Sequence, residues 1–196
     1  MEINKIFSLI IIAVFYAAYF IKAFALSLHG IKVNQMGCGK KNNSTKTIEL
    51  LLKFGTILLA PVQLCAVFSI LPLQLKASTT LQYVGLSISA VGTICFIVAM
   101  LTMGKNWRAG IAQNDSTHFV HRGIYRISRN PAFLGFDLFY LGTLLVSPGI
   151  IHIAAVCFVI TMFHLQILEE EKFLESTFGN EYSQYKQKIG RYFLFF

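Results

Sequence analysis

The chain has 196 residues, 55% of them hydrophobic and only 13% charged, with a mean hydropathy of +0.61 and a formal net charge of +8. Soluble domains carry about 25% charged residues, so these values exclude an ordinary soluble globule and place the chain in a bilayer. The basic surplus does not point to nucleic acid, because the lysines and arginines flank apolar runs, the arrangement expected beside anionic lipid.

A spanning helix needs roughly 20 apolar residues. The first run, about 6–28, is too long for a signal peptide and lacks its small-residue cleavage pattern. Residues 29–47 are polar and read as the least ordered part of the chain. The second run covers about 50–73, with Pro61 as an expected kink, and the third about 81–103. Residues 104–130 are polar and basic. Apolar sequence returns at 131–146, turns at Ser147-Pro148-Gly149 and returns again at 150–168, which predicts a helical hairpin. A charged tail follows, helical from Glu169 to Phe178, broken at Gly179 and Asn180, with a short helix over about 181–189. The fold class is therefore all-α: a polytopic membrane helix bundle of about five transmembrane helices, with a C-terminal hairpin and tail helices. We divide it into N-terminal helices, 1–103, and a chemistry-bearing region, 104–196.

With five spans, the 29–49 loop, the 104–130 loop and the tail share one side. Those segments hold most of the basic residues, so the N-terminus is expected outside and the C-terminus in the cytosol. The sequons at Asn42, Asn43 and Asn114 then face the cytosol. Cys38, Cys65, Cys95 and Cys157 form no close pair, and neither a disulfide framework nor a metal site is expected.

Two polar segments flank the hairpin on that side, a cationic one over 118–135 and an anionic one over 169–185. On spacing alone Arg122, Arg126 and Arg129 read as headgroup anchors and the glutamates as a solvated helix end. The order of residues says more. Gly123, Tyr125, Arg126, Arg129, Pro131, Phe133 and Gly135 follow a G-x-Y-R-x-x-R-H-P-x-[YF]-x-G pattern. After the hairpin, Glu170, Glu171, Leu174, Phe178, Gly179, Tyr182 and Tyr185 follow E-E-x-x-L-x-x-x-F-G-x-x-Y-x-x-Y, and Ile189 and Arg191 suit its V-x-R ending. In these two motifs the half of the chain from Gly104 onward resembles the isoprenylcysteine carboxyl methyltransferase family and its bacterial relatives.

The resemblance implies a helical enzyme of the membrane, in a bacterial inner membrane, that binds S-adenosylmethionine in a cytosol-facing pocket without a Rossmann sheet. It methylates a lipophilic or lipid-linked acceptor. Carried over, the cofactor contacts are Thr117, His118, Phe119, Val120, Tyr125, Asn130, Pro131, Ala132, Phe133 and Glu170. Gln166 and Arg108 are the candidate acceptor contacts. The aromatic faces of Tyr125 and Phe133, the acceptor oxygens of Glu170 and the helix start at Pro131 suit a cofactor with an adenine, a cation, hydroxyls and a carboxylate. No catalytic triad is expected, because orientation and desolvation can supply the rate of a displacement at a methyl carbon.

Two positions depart from the pattern. Asn130 stands where the family has His before the proline. Gln166 stands four residues before Glu170, where the prenylcysteine enzymes carry an Arg that meets the substrate, and Gln cannot supply that charge. The alternatives are a phospholipid N-methyltransferase, an NADPH-dependent membrane reductase that would use Arg122, Arg126 and Arg129 for a phosphate, and a non-catalytic member of the fold. Asp137 is an intramembrane carboxylate expected near the pocket rim or Arg129. His164 is expected to pack or make a helix contact, His121 to face solvent, Trp107 to anchor at the interface, and Tyr182 and Tyr185 to pack the tail.

Overall fold

The computed structural model describes residues 3–112 and 118–192. Five α-helices follow in order: α1 (Ile3–Ser27), α2 (Asn43–Val67), α3 (Thr79–Met103), α4 (Pro131–Val146) and α5 (Ile150–Lys188), with a short 3-10 turn at Gly123–Arg126. No strand occurs among the described residues, only isolated bridges at Asn34–Ala109 and Gln74–Gly149. Four helices, α1, α2, α3 and α5, are long and apolar enough to cross a membrane. The fourth expected span, α4, has 16 residues, about 24 Å at 1.5 Å per residue, and is shorter than the hydrocarbon core. Exposed Phe20, Phe24, Phe54 and Ile94 are what a bilayer-facing surface requires.

Local chemistry sets the helix ends. Asn42 caps α2 by accepting from the Thr45 backbone N–H at 2.7 Å, and Ser78 caps α3 by accepting from Leu81 N–H at 3.2 Å. Pro131 opens α4 at its first turn, where its missing N–H costs nothing. Helix α2 starts earlier than the apolar run implied and ends at Val67, before Ile70 and Leu73. Pro61 lies inside α2, which continues through it. In α5 the helical path bends at Gly179, whose φ of 50° and ψ of −121° favour glycine. The expected break thus falls at Gly179, and the tail beyond it folds back over the end of the bundle, where Tyr185 meets Tyr125.

Helices α3 and α4 approach closely through glycines. A Cβ at Gly142 would lie 2.3 Å from Ser89 N, at Gly92 2.5 Å from Phe139 N and at Gly135 2.6 Å from Phe96 N. Small residues let backbones touch where no hydrophobic effect drives helices together. The core is aromatic. Phe15 of α1 stacks on Phe139 at 3.8 Å and on Phe96 at 4.8 Å between ring centroids. Helix α2 packs on α5, with Gly55 facing Phe158 and Val159.

Candidate functional site

At the end of the bundle that carries the polar loops, the helices diverge around a cavity of about 600 Å³. Its polar part is bounded by the 106–112 and 118–120 segments, the 3-10 turn, the start of α4 and the 166–185 stretch of α5. Its apolar part continues between α1 and α2, past Tyr16, Tyr19, Phe20, Ile57 and Ala60. Phe20 and Ile57 are 63% and 61% exposed, so the slot opens sideways onto the lipid-facing surface.

Three consecutive glutamates show how the polar wall is built. Successive residues on a helix point about 100° apart, so Glu169, Glu170 and Glu171 face three environments. Glu169 accepts from Lys172 at 2.7 Å and from Thr45; these bonds hold its carboxyl below the usual range. Glu171 is buried and accepts from Arg191 at 2.9 and 3.1 Å, from Arg129 at 3.1 Å and from the Asn130 amide at 3.3 Å. Burial pushes its pKa up, but Arg191, Arg129 and Asn130 together outweigh this and hold it low. Glu170 faces the cavity, where among the described residues only the Gln166 amide donates to it, at 3.1 Å. Burial, weakly opposed by that bond, pushes its pKa up to about 7.

Arg129 lines the cavity and is pinned by Glu171, yet its Nε and Nη1 are buried without partners. The Gln166 Oε1 is likewise buried and unpartnered. Buried polar atoms are nearly always satisfied, so these three mark where a ligand's polar groups would be accommodated. Above them Phe119 meets Phe178, Tyr182 and Tyr185 at 5.3, 5.7 and 5.2 Å, making an aromatic wall. The Tyr185 hydroxyl donates to the Tyr125 carbonyl at 2.6 Å, tying the tail to the 3-10 turn. Burial and then Glu170 hold the Tyr125 phenol well above its ordinary pKa, so it stays neutral.

A second hub fixes the opposite wall. Glu49 is fully buried in α2. It accepts from Lys41 Nζ at 2.7 Å, from Gly37 N–H at 2.7 Å and from Ile111 N–H at 2.9 Å. The 31–37 loop also bonds Ala109 on both sides, Ala109 N–H to Val33 O at 3.0 Å and Gln35 N–H to Ala109 O at 2.8 Å. The segment expected to be least ordered is therefore a built wall, bringing Asn34 and Met36 to the cavity. Its order comes from the buried Glu49 just beyond it and from Ala109 and Ile111 far along the chain, which local composition does not reveal.

The structure brings most of the predicted residues together. His118, Phe119, Val120, Tyr125, Asn130, Ala132, Phe133 and Glu170 line the cavity, as do Gln166 and Arg108. Thr117 lies outside the described residues. Pro131 does not line the cavity: it is buried behind it, and its carbonyl accepts from Cys95 Sγ at 3.3 Å. The Asn130 amide is directed into the Glu171 and Arg191 network, so its place is to hold the wall. Trp107 is not an interfacial anchor; it is 4% exposed, packs edge-on against Tyr19 at 5.4 Å and lines the cavity. Arg129 is no headgroup anchor either, while Arg122 and Arg126 are exposed. Asp137 reaches neither the cavity nor Arg129, which Glu171 has taken. His164 makes the expected helix contact, to the Tyr192 hydroxyl at 2.8 Å, and His121 is exposed. Tyr182 and Tyr185 pack the tail and also line the cavity.

Sequence reasoning missed the contributions of α1 and α2, including Tyr16, Tyr19, Lys53 and Thr56. One signal was available: Glu49 and Lys53 are ionisable residues in an otherwise apolar run, and such residues face the bundle interior or a cavity.

The chain matches the family model described as phospholipid methyltransferase over residues 81–181, just over half its length. It is 31% identical over 123 residues to a probable protein-S-isoprenylcysteine O-methyltransferase of Oryza sativa subsp. indica, covering 59% of this chain and 62% of the rice protein. To protein-S-isoprenylcysteine O-methyltransferase A of Arabidopsis thaliana it is 32% identical over 112 residues, 54% of this chain and 55% of that one. To the Xenopus laevis protein-S-isoprenylcysteine O-methyltransferase it is 32% identical over 120 residues, 59% of this chain and 41% of that one. The matched part spans about three-fifths or less of these relatives' own length. The matched region contains the 3-10 turn, the α4–α5 hairpin and all three wall glutamates, and on this evidence the chain belongs to the phospholipid methyltransferase family.

Proposed function

We propose that this chain is an S-adenosylmethionine-dependent methyltransferase acting on a lipophilic acceptor within the membrane. The observation that carries the reading is a polar, partly unsatisfied chamber continuous with an apolar slot that opens to the lipid surface between α1 and α2. When bound, the cofactor supplies an electrophilic methyl group on a sulfonium. The chamber's residues fit it. Arg129 offers two spare donors for a carboxylate, reinforced by the start of α4. Glu170 and the Gln166 oxygen accept from amino or hydroxyl groups. Phe119, Tyr182 and Tyr185 offer aromatic faces to a flat ring or a cation. The 104–196 region then houses the cofactor, and the helices of 1–103 form the acceptor's slot. Rate comes from holding the acceptor atom in line and excluding water from it.

The family match admits acceptors with either an oxygen or an amine nucleophile, and the neutral Gln166 keeps the phospholipid N-methyltransferase as the second reading. The reductase reading is weakened because Arg122 and Arg126 are exposed, which leaves Arg129 alone of the three arginines at the cavity. The distribution of basic loops supports a C-terminus in the cytosol, here of a bacterial inner membrane, and an N-terminus outside. The test is equilibrium binding of S-adenosylmethionine and, separately, NADPH to the purified protein. Saturable S-adenosylmethionine binding, lost in Glu170→Ala, supports the methyltransferase. Binding of NADPH alone makes the protein a reductase, and unchanged S-adenosylmethionine affinity in Glu170→Ala removes Glu170 from the site.

A further inference from the structure

Lys53 lies two residues from the midpoint of α2 and lines the cavity. A cation so deep in a spanning helix is rare and marks a substrate path or a buried partner. Among the described residues its ammonium has no ion pair or hydrogen bond; only its backbone carbonyl is engaged, accepting from the Thr56 hydroxyl at 3.0 Å. The one carboxylate a turn away on its own helix, Glu49, is already saturated by Lys41, Gly37 and Ile111.

Its depth follows from the packing of α2 on α5. Thr45 meets Glu169, and Gly55 faces Phe158 and Val159. Lys53 is therefore level with about residues 160–161 of α5, roughly 15 Å from the Glu171–Arg129 pair, with Gln166 about midway. Side chains on a helix lean toward its N-terminus, which for α2 is the end nearer Gln166. The Lys53 stem thus carries its ammonium up the slot toward Gln166, the neutral residue where a cation was expected from the motif.

We infer that Lys53 is the specificity-determining cation of the acceptor subsite, binding the carboxylate head of an amphiphile whose tail occupies the α1–α2 slot. This rests on the methyltransferase reading for the identity of the subsite. Arg129 and Lys53 then serve two different anionic groups at the two ends of one cavity. A single ammonium matches a monoanion, whereas a phosphate would call for several converging donors.

Trp107 is the sole tryptophan and lines the cavity, so its fluorescence reports occupancy. The protein, in neutral phosphatidylcholine vesicles, is titrated with dibromostearate and with dibromostearyl alcohol at a pH where the acid is ionised. The acid should quench Trp107 at about tenfold lower membrane concentration than the alcohol, the worth of one charge-assisted bond. Lys53→Arg should keep that preference and Lys53→Met should abolish it, with quenching by the alcohol unchanged as the control for folding. Equal quenching by acid and alcohol in the native protein, or a preference that survives in Lys53→Met, overturns the inference. S-adenosylmethionine binding is measured in parallel. An acid preference without cofactor binding would leave the Lys53 site standing and defeat the methyltransferase reading.

Discussion

Replacing Glu49 by Gln tests whether the 31–42 loop is a wall of the site or a passive connection. The Lys41 and Glu49 side chains are 1% and 0% exposed, so the substitution strands a buried ammonium. Removing one partner of such a pair costs about 3–5 kcal/mol. The Gln oxygen can satisfy one of the two backbone donors, Gly37 or Ile111, and leaving the other unsatisfied adds about 1–3 kcal/mol. That sum exceeds what a surface loop withstands, so the loop should open locally before the bundle unfolds. The assay is limited trypsin digestion in detergent, followed at the exposed Lys32 and Lys40. Cleavage there should accelerate at least tenfold, with the melting temperature of the bundle little changed and S-adenosylmethionine affinity reduced. Adding Lys41→Met to Glu49→Gln should recover much of the protection, because the stranded charge is gone while the Gln oxygen still accepts from one backbone N–H. Cleavage of Glu49→Gln at the native rate would refute the reasoning, since the loop would then be held by something other than this carboxylate.

With the Glu170 pKa raised to about 7, the proposed S-adenosylmethionine binding should depend on pH. Affinity should rise as the pH passes upward through 7 and the carboxyl ionises, and Glu170→Gln should flatten the profile in a binding titration. Without ligand the same group works the other way: its contribution to stability is full below its unfolded value and is lost as the pH rises toward 7. Glu171, held low by Arg191 and Arg129, contributes stability at neutral pH that is lost as the pH falls through its native pKa. Glu171→Gln should cost about 3–5 kcal/mol by stranding Arg129 and remove that acid-side loss, read as melting temperature against pH. Gly142→Leu should prevent α3 and α4 from closing, because even its Cβ would lie 2.3 Å from Ser89 N. Gly149→Ala, with no neighbour nearer than 3.5 Å, should fold normally; size-exclusion chromatography in detergent reads both variants, as aggregation of the first and a native profile for the second.

The helices were legible because their signals are local. Pro131 opens α4 and Gly179 bends α5 where the residues said they would. The residues at the cavity's polar end were legible as a motif, but the motif did not reveal why each residue is there. Gly135 sits in the middle of the chemistry-bearing signature, yet it is small because it touches Phe96 of α3. Asn130 belongs to the signature too, and its amide serves Glu171 and Arg191. What sequence reading missed was made by tertiary contacts rather than by local signals. Nothing local to residues 31–37 announces that Glu49 will order them, or that Trp107 will turn inward onto Tyr19.

The pattern of pairing separates scaffold from site. Glu49 and Glu171 are both buried, and each is surrounded by donors in excess: Lys41 with two backbone N–H groups, and two arginines with an amide. Carboxylates so surrounded fix the walls. A charge held at the same cavity without such compensation costs stability and has no structural return. Glu170, two donors of Arg129 and Lys53 are the groups left in that condition. They form a sequence of positive, negative and positive along the cavity from the tail to the slot. A ligand pair that satisfies it carries an anion at one end, donors or a cation in the middle and a second anion facing the slot, which is the charge pattern of a zwitterionic sulfonium set against an acidic amphiphile.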